Sequence, residues 1–160
     1  MKVIKEVIPY IVIVVVVVLI RTFIITPVRV DGDSMKNTLK NGDILLLYKL
    51  SSIDRFDIIV LDEEKDNEKI IKRVIGLPGE TVAIKKGKIY INDKVIDDEY
   101  AYGETSDYDK VTLRDDEYFI LGDNRLISKD SRYFGPIKDN EIKGKIVFRL
   151  FPFTKIGTVQ

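Results

Sequence analysis

Two residue types that many hydrolases use for catalysis are missing from this chain, whose 160 residues include no histidine and no cysteine. A Ser-His-Asp or Cys-His centre is therefore impossible, because each needs an imidazole. The chain does contain Ser34 in a Gly-Asp-Ser-Met sequence and Lys72 in an Ile-Lys-Arg-Val sequence. A serine hydroxyl activated by a lysine amine is the remaining serine-based route to a covalent intermediate.

Lys72 must lose its charge before it can act as a base. An unperturbed lysine has a pKa of about 10.4, so a neutral amine at pH 7 costs roughly 4.6 kcal/mol. Strand alternation places Lys72 on the same face as Ile70 and Val74, which is apolar. Burial on such a face lowers a lysine pKa by several units and supplies most of that free energy. The alternative is a lysine whose amine extends from the apolar face to water.

Ser34 follows an extended stretch at 27–30, where a strand end can present its hydroxyl at an edge. Taken alone, a serine after glycine and aspartate is more often a turn residue or a helix cap. A third polar segment spans 121–136 and contains Ser128, a hydroxyl that can orient a lysine amine. Ion-paired support behind it is expected from Asp130, Arg132 and Arg73. The alternative interpretation of this segment is a polar turn held by bonds from side chains to backbone.

An apolar segment near the amino terminus is long enough to span a bilayer. Every residue from 7 to 20 is apolar, proline or tyrosine. Since about 20 residues cross the hydrocarbon core, we assign 1–6 to a short tail and 7–26 to a transmembrane anchor. A cleavable signal sequence is the alternative, but it needs small residues at its cleavage site, and the only alanines are Ala83 and Ala101.

The charges around the anchor leave its orientation open, since basic residues lie on both sides of it. Long domains cross a membrane largely regardless of local charge, so an extracytoplasmic body is permitted. We therefore expect a single-pass protein of the cell membrane, with a cytoplasmic amino terminus and its catalytic domain on the extracytoplasmic face.

The chain beyond residue 30 has the pattern of short strands. Runs rich in isoleucine, valine, tyrosine and phenylalanine are often separated by glycine, asparagine or aspartate. The predicted strands are 44–50, 56–61, 69–77, 81–86, 88–92, 118–121 and 145–151. Tight turns are predicted at Lys86-Gly87 and Asn92-Asp93, and a single helical turn at 35–40.

The predicted fold class is mostly β: an antiparallel β-sheet or barrel-like catalytic body at 27–160 with an N-terminal single transmembrane helix. The composition changes near 92–116 to acids, tyrosines and small residues, which indicates a surface excursion between core strands. We favour a solvated insertion there over a binding loop.

The charge balance argues against nucleic acid as a partner. Lysine plus arginine and aspartate plus glutamate number 26 each, so the formal net charge is +0 and no basic excess faces a phosphate backbone. Without cysteine the chain has no disulfide and no thiolate zinc site. Carboxylate spacing does not resemble a calcium loop, and we expect no cofactor and no metal.

Together these segments resemble the type I signal peptidases, the membrane-anchored Ser-Lys proteases of the S26 family that cut signal peptides from exported proteins. The resemblance covers nearly the whole chain. It depends on an ordered set of segments, namely the amino-terminal span, 32–39, 42–43, 55–60, 72–80 and 122–135.

The resemblance implies that Ser34 is the nucleophile, Lys72 the general base and Ser128 the hydroxyl that positions the amine. The family's supporting polar network matches Asp130, Arg132, Arg73 and Asp123. Apolar pocket walls that select small residues before the cut match Val28, Val30, Met35, Leu39 and Ile71. The implied partners are signal-peptide-bearing preproteins and the lipid bilayer.

Two positions depart from the family pattern. Some members use a side-chain hydroxyl two residues before the nucleophile as a second oxyanion donor, and here that residue is Gly32. The family commonly has proline three residues after the serine, and here it is Asn37. Because proline stiffens a turn, we expect Asn37 to loosen the placement of the serine.

Two other functions are compatible with part of the sequence. A self-cleaving repressor-type protease shares the dyad but would need a DNA-binding head and an internal Ala-Gly site, and the chain has neither. A catalytically impaired, membrane-anchored β module that binds signal peptides or partner proteins is supported only by Asn37.

Overall fold

The computed structural model describes residues 2–63 and 68–159, and its first element is a long apolar helix. Helix α1 (Lys2–Phe23) includes a window of 18 residues, Glu6–Phe23, with a mean hydropathy of 2.4 and no buried residue. By length and composition this helix can cross a membrane. It already includes residues 2–6, which were predicted as a tail, because helical hydrogen bonding continues beyond the apolar stretch.

The rest of the described chain is mainly strands, which confirms the mostly β fold class. In chain order the strands are β1 (Ile25–Arg29), β2 (Ile44–Tyr48), β3 (Ile58–Glu63), β4 (Glu68–Gly76), β5 (Thr81–Lys85), β6 (Lys88–Ile91), β7 (Lys94–Ile96), β8 (Tyr108–Thr112), β9 (Glu117–Leu121), β10 (Ile137–Lys138), β11 (Ile142–Phe151) and β12 (Gly157–Thr158). A one-turn helix, α2 (Ser131–Phe134), lies between β9 and β10.

The strands form two antiparallel sheets. The larger sheet has the order β1-β2-β11-β3-β4-β9-β10, with β12 beside β11, and the smaller sheet has the order β7-β6-β5-β8. Strand β4 pairs with β3 on one side and β9 on the other, so it lies inside the larger sheet. Residues 73–76 of β4 lie beside β9, whereas residues 68–72 pair with β3 alone.

Strand alternation divides the core. On β3, Ile58 and Val60 pack into one apolar cluster with β1 and β2, whereas Ile59 and Leu61 pack into another with β9 and β10. A third cluster joins the sheets, because Phe119 of the larger sheet packs with the small-sheet core around Val82 and Ile84. Both faces of the central strands are thus covered.

The two predicted hairpin turns are confirmed. Lys86-Gly87 joins β5 to β6 and Asn92-Asp93 joins β6 to β7, and all four residues have positive φ, between 50° and 73°. Two-residue turns of this handedness match the right-handed twist of the paired strands. The predicted helical turn at 35–40 is a turn without a helix assignment, in which the Met35 carbonyl accepts from the amides of Thr38 and Leu39.

Strands β7, β8, β10 and β12 were not predicted. Two of them, β7 and β8, lie in the 92–116 excursion and complete the smaller sheet. Strand β8 reads Tyr-Asp-Lys-Val-Thr and has no buried residue, so its sequence lacks the apolar alternation of a core strand. Its place at the edge of the sheet, beside β5, explains that polarity.

Candidate active site

The structure brings Ser34 and Lys72 together although 38 residues separate them. Ser34 lies half-buried in the turn after β1, and Lys72 lies in the middle of β4. Lys72 Nζ donates to Ser34 Oγ at 3.0 Å and to the Ile71 carbonyl at 3.2 Å. A nucleophile and a base within this distance can exchange a proton directly.

Lys72 is only 4% exposed, and its neighbours on β4 are covered as well. Val74 is fully buried, and Ile70 is half-buried on the same face. Strand β3 contributes Ile59, which is opposite Lys72 in the register and is also fully buried. Apolar surroundings destabilise the charged form of an amine.

A cavity of about 340 Å³ opens beside the two side chains. Its walls come from the turn after β1 and from the first half of β4: Val30, Asp31, Gly32, Ser34, Met35, Lys69, Ile70, Ile71 and Lys72. Val30, Met35 and Ile71, three of the predicted pocket residues, line this cavity. Val28 and Leu39 do not line it but are buried in the same apolar cluster behind it.

Next to Lys72, Arg73 forms a fully buried ion pair with Asp123. Two hydrogen bonds of 2.8 Å join Arg73 Nε and Nη2 to the two carboxylate oxygens of Asp123. The hydroxyl of Thr38 accepts from Arg73 Nη2 at 3.0 Å and donates to Asp123 at 2.5 Å. Thr38 belongs to the turn at 32–38, which carries the predicted nucleophile Ser34 and is called the nucleophile turn below. The ion pair therefore connects β4, the nucleophile turn and the segment after β9.

A second buried pair joins Asp130 and Arg132 by hydrogen bonds of 2.8 and 2.9 Å. Asp130 caps α2 through the Arg132 amide and also accepts from the Gly122 amide at 3.0 Å. The segment is therefore both a turn held by side-chain to backbone bonds and an ion-paired support. Both sequence interpretations describe part of it.

Ser128 is 2% exposed, and its hydroxyl has no hydrogen-bond partner among the described residues. It lies against Gly122, where an added Cβ would overlap Ser128 Oγ and lie 2.7 Å from the Ser34 carbonyl oxygen. Only glycine allows the Ser128 hydroxyl and the Ser34 backbone to approach the chain this closely. Ser128 is thus near the nucleophile turn, with a free hydrogen-bonding capacity.

Asn124, for which no role is predicted, also contacts the nucleophile turn. The Asn124 amide donates to the Ser34 carbonyl at 2.9 Å, and Asn124 Nδ2 donates to the Asp33 carbonyl at 3.2 Å. Asn124 directly follows Asp123, so its proximity to a predicted site residue was the available sequence signal.

The 92–116 excursion also reaches the site, which a purely solvated insertion would not do. Asp98 forms an ion pair with Arg125, and the Tyr100 ring lies over the Arg73 guanidinium at 3.6 Å. Asn37 Nδ2 donates to the Tyr100 carbonyl at 3.1 Å. Asn37 has φ of 140°, which proline cannot adopt. Its side chain instead connects the turn to the excursion through this hydrogen bond.

No group of three or more histidine, cysteine, aspartate or glutamate side chains within 2–63 and 68–159 is arranged to hold a metal ion. The chemistry available to the described site is that of the hydroxyl, the amine and the backbone amides around them.

Comparisons with known proteins point to one family. A family model described as "Signal peptidase, peptidase S26" matches residues 3–151. The chain is 42% identical to a signal peptidase I of Bacillus caldolyticus, over 93% of this chain and 92% of that protein. It is 38% identical to a signal peptidase I of Streptococcus pneumoniae serotype 4, over 86% and 88%. The crystal structure of a signal peptidase I from Enterococcus faecalis V583 is similar, with a TM-score of 0.54 and 34% identity over 60% of this chain and 97% of that one.

Proposed function

The chain belongs to the peptidase S26 family of signal peptidases, and from that membership we propose which of its residues carry out the reaction. It is a serine endopeptidase that removes signal peptides, and preproteins that carry signal peptides are its substrates. Our proposal is that Ser34 is the nucleophile and Lys72 the general base. The hydrogen bond of 3.0 Å from Lys72 Nζ to Ser34 Oγ is the observation that carries it.

Acylation begins when neutral Lys72 Nζ takes the proton of Ser34 Oγ and the oxygen attacks the scissile carbonyl carbon. A C–O bond forms, and the carbonyl electrons move to the oxygen. When the C–N bond breaks, the Lys72 ammonium returns the proton to the leaving nitrogen, and the new amino terminus departs.

Deacylation repeats these steps with water. Lys72 takes a proton from a water molecule, which attacks the acyl carbon, and the same proton then passes to Ser34 Oγ as the ester bond breaks. One amine therefore serves as base and acid in both halves, so a side chain fixed at hydrogen-bond distance suffices.

The developing oxyanion needs donors beside Ser34. We assign the Ser34 backbone N–H as one donor. Gly32 offers no hydroxyl for a second bond, so any second donor in this chain comes from a different residue. Ser128 is the hydroxyl we assign to orient the Lys72 amine, because it is buried beside the nucleophile turn and has unused hydrogen-bonding capacity among the described residues.

The cavity beside the dyad fits the recognition of small side chains. Its apolar walls, Val30, Met35 and Ile71, are 7% exposed or less and are supported by the cluster that contains Val28 and Leu39. A packed apolar wall accepts alanine and excludes bulk by steric overlap. We propose that the residue before the cut occupies this cavity.

The anchor gives the reaction its location. The protein is membrane-anchored through α1, which carries the apolar window Glu6–Phe23. We propose that its amino terminus is cytoplasmic and that the body at 27–160 lies on the extracytoplasmic face. Cleavage would then occur where the apolar segment of a signal peptide leaves the bilayer.

The test is mass spectrometry of a model preprotein after incubation with the full chain in detergent. We expect cleavage after a small residue, and a loss of about 10³-fold or more in Ser34→Ala and in Lys72→Ala. Ser52→Ala and Lys88→Ala change the same residue types at exposed positions and should cleave normally. Cleavage by Ser34→Ala at the normal rate would refute the assignment, and binding without cleavage by the unaltered chain would support the impaired module instead.

A further inference from the structure

Arg125 is a buried arginine with no role in the reaction described above. It is 4% exposed, and its guanidinium has three acceptors: Nε donates to the Gly122 carbonyl at 3.0 Å, Nη1 to Thr105 Oγ1 at 2.7 Å, and Nη2 to the Asp98 carboxylate. A planar guanidinium with its donors occupied on three sides is held in one orientation. Arg125 thus fixes two distant parts of the chain, the excursion and segment 122–125.

Segment 122–125 contacts the nucleophile turn through several hydrogen bonds. Asn124 donates to the carbonyls of Asp33 and Ser34, and Asp123 accepts from the Thr38 hydroxyl. The same segment is held to the excursion, because the Tyr102 amide donates to Asp123 O at 2.7 Å and the Arg125 amide donates to Tyr102 O at 2.9 Å. A shift of 122–125 therefore moves the backbone of the residue that bears the nucleophilic hydroxyl.

We propose that Arg125, held by Asp98 and Thr105, is a positioning residue that sets the placement of Ser34 Oγ relative to Lys72 Nζ. The inference depends on the proposed roles of Ser34 and Lys72. Arg125 is not among the residues that line the cavity, so its loss acts on the reacting atoms through the turn that carries Ser34 and leaves the cavity wall formed by β4 in place.

This arrangement predicts a specific kinetic signature. A displacement of reacting groups by about 1 Å can reduce a rate by about 100-fold. Because Arg125 does not line the cavity and β4 supplies one of its walls, removal of Arg125 should affect substrate binding less than turnover. A loss in kcat with little change in KM is therefore expected.

The test measures kcat and KM of the full chain in detergent with a model preprotein. We expect Arg125→Gln to lower kcat by about 10- to 100-fold with KM within twofold. Thr105→Val removes one acceptor at nearly constant volume and should lower kcat several-fold. Thr105→Ser keeps the hydroxyl and should therefore keep a normal kcat. If Arg125→Gln does not fold, the comparison of Thr105→Val with Thr105→Ser tests the positioning role instead.

Arg55→Gln is the matched control, since Arg55 also binds one carboxylate and one carbonyl, those of Glu80 and Ile75. It should lower thermal stability without lowering kcat. The proposal is overturned if Arg125→Gln and Thr105→Val keep normal kcat, if they raise KM instead, or if Arg55→Gln lowers kcat equally.

Ser34→Ala and Lys72→Ala are assayed in parallel. If they remain active, the dyad assignment has failed. If they are inactive while Arg125→Gln is normal, only the positioning role has failed.

Discussion

The two sheets of this protein bury different kinds of side chain. In the strands of the smaller sheet every buried residue is apolar, as Val82, Ile84 and Ile89 illustrate. The larger sheet and the segment that follows β9 bury Lys72 and the ion pairs Arg73–Asp123 and Asp130–Arg132. Burying a charge costs several kcal/mol before its partners compensate, so an apolar core would be the simpler way to hold a sheet together.

The two regions therefore have separate tasks. The smaller sheet stabilises the body through apolar contacts with Phe119 and Leu121 of the larger sheet. The larger sheet uses part of its stability to keep a hydroxyl, an amine and their supports at fixed distances. Substitutions in the two regions should therefore separate changes in stability from changes in turnover.

The largest effect is expected from Asp123→Asn. The substitution keeps the shape of the side chain but leaves the Arg73 guanidinium buried beside a neutral amide, and breaking a buried pair in this way costs about 3–5 kcal/mol. Turnover should fall as well, because Thr38 in the nucleophile turn loses its charged acceptor. Thermal unfolding in detergent and the cleavage rate are the two measurements.

The control makes the same chemical change in the smaller sheet. Asp93 is in the turn between β6 and β7 and pairs with exposed Lys110. Asp93→Asn should leave the melting temperature and the cleavage rate at their normal values. Equal losses in the two variants would contradict the separation between the sheets.

An intermediate effect is expected from Ile84→Ala, which removes a side chain that is 1% exposed in the small-sheet core. The cavity left behind should lower the free energy of unfolding by about 2–5 kcal/mol. At a temperature where the variant remains folded, kcat and KM should match those of the unaltered chain. A fall in kcat under these conditions would show that the small sheet takes part in placing the dyad.

The smallest effect is expected from Lys110→Gln. The hydrogen bond from Lys110 and its charge hold the pKa of Asp93 below the ordinary value of 3.8. Without that ammonium the pKa of Asp93 should rise toward 3.8, as a titration followed by nuclear magnetic resonance would reveal. Cleavage should be unaffected, and an unchanged Asp93 pKa would mean that the ion pair is not populated in solution.

Much of the fold could be predicted because local chemistry and the final structure agree. The turns at Lys86-Gly87 and Asn92-Asp93 occur where short polar or glycine residues interrupt alternating strands, and positive φ is available there at low cost. Strands such as β3 combine branched residues with burial on both faces. The polar edge strand β8 escaped prediction, since its sequence has no apolar period to detect.

Part of the candidate site could also be predicted from the sequence, and part could not. Ser34 and Lys72 could be chosen because the absence of histidine and cysteine left few possibilities and the ordered motifs resembled a known family. The contacts of Asp98 and Thr105 with Arg125 could not be predicted, because they join residues 20 or more positions apart that lie outside the strands, on either side of β8 and β9. Neither strand alternation nor turn chemistry constrains such a pair.

If a buried, neutral Lys72 amine takes the proton of Ser34, as we claim, the pH dependence of kcat/KM must follow the deprotonation of that amine. With no histidine and no cysteine in the chain, the α-amino group is the only other group that ordinarily titrates between pH 6 and 9, and acetylation removes it. With a substrate that also lacks these residues, we predict that kcat/KM rises with pH along a limb whose apparent pKa is below the value of about 10.4 for a solvated lysine. A rate that is flat across this range, or that rises only near pH 10.4, would contradict the claim.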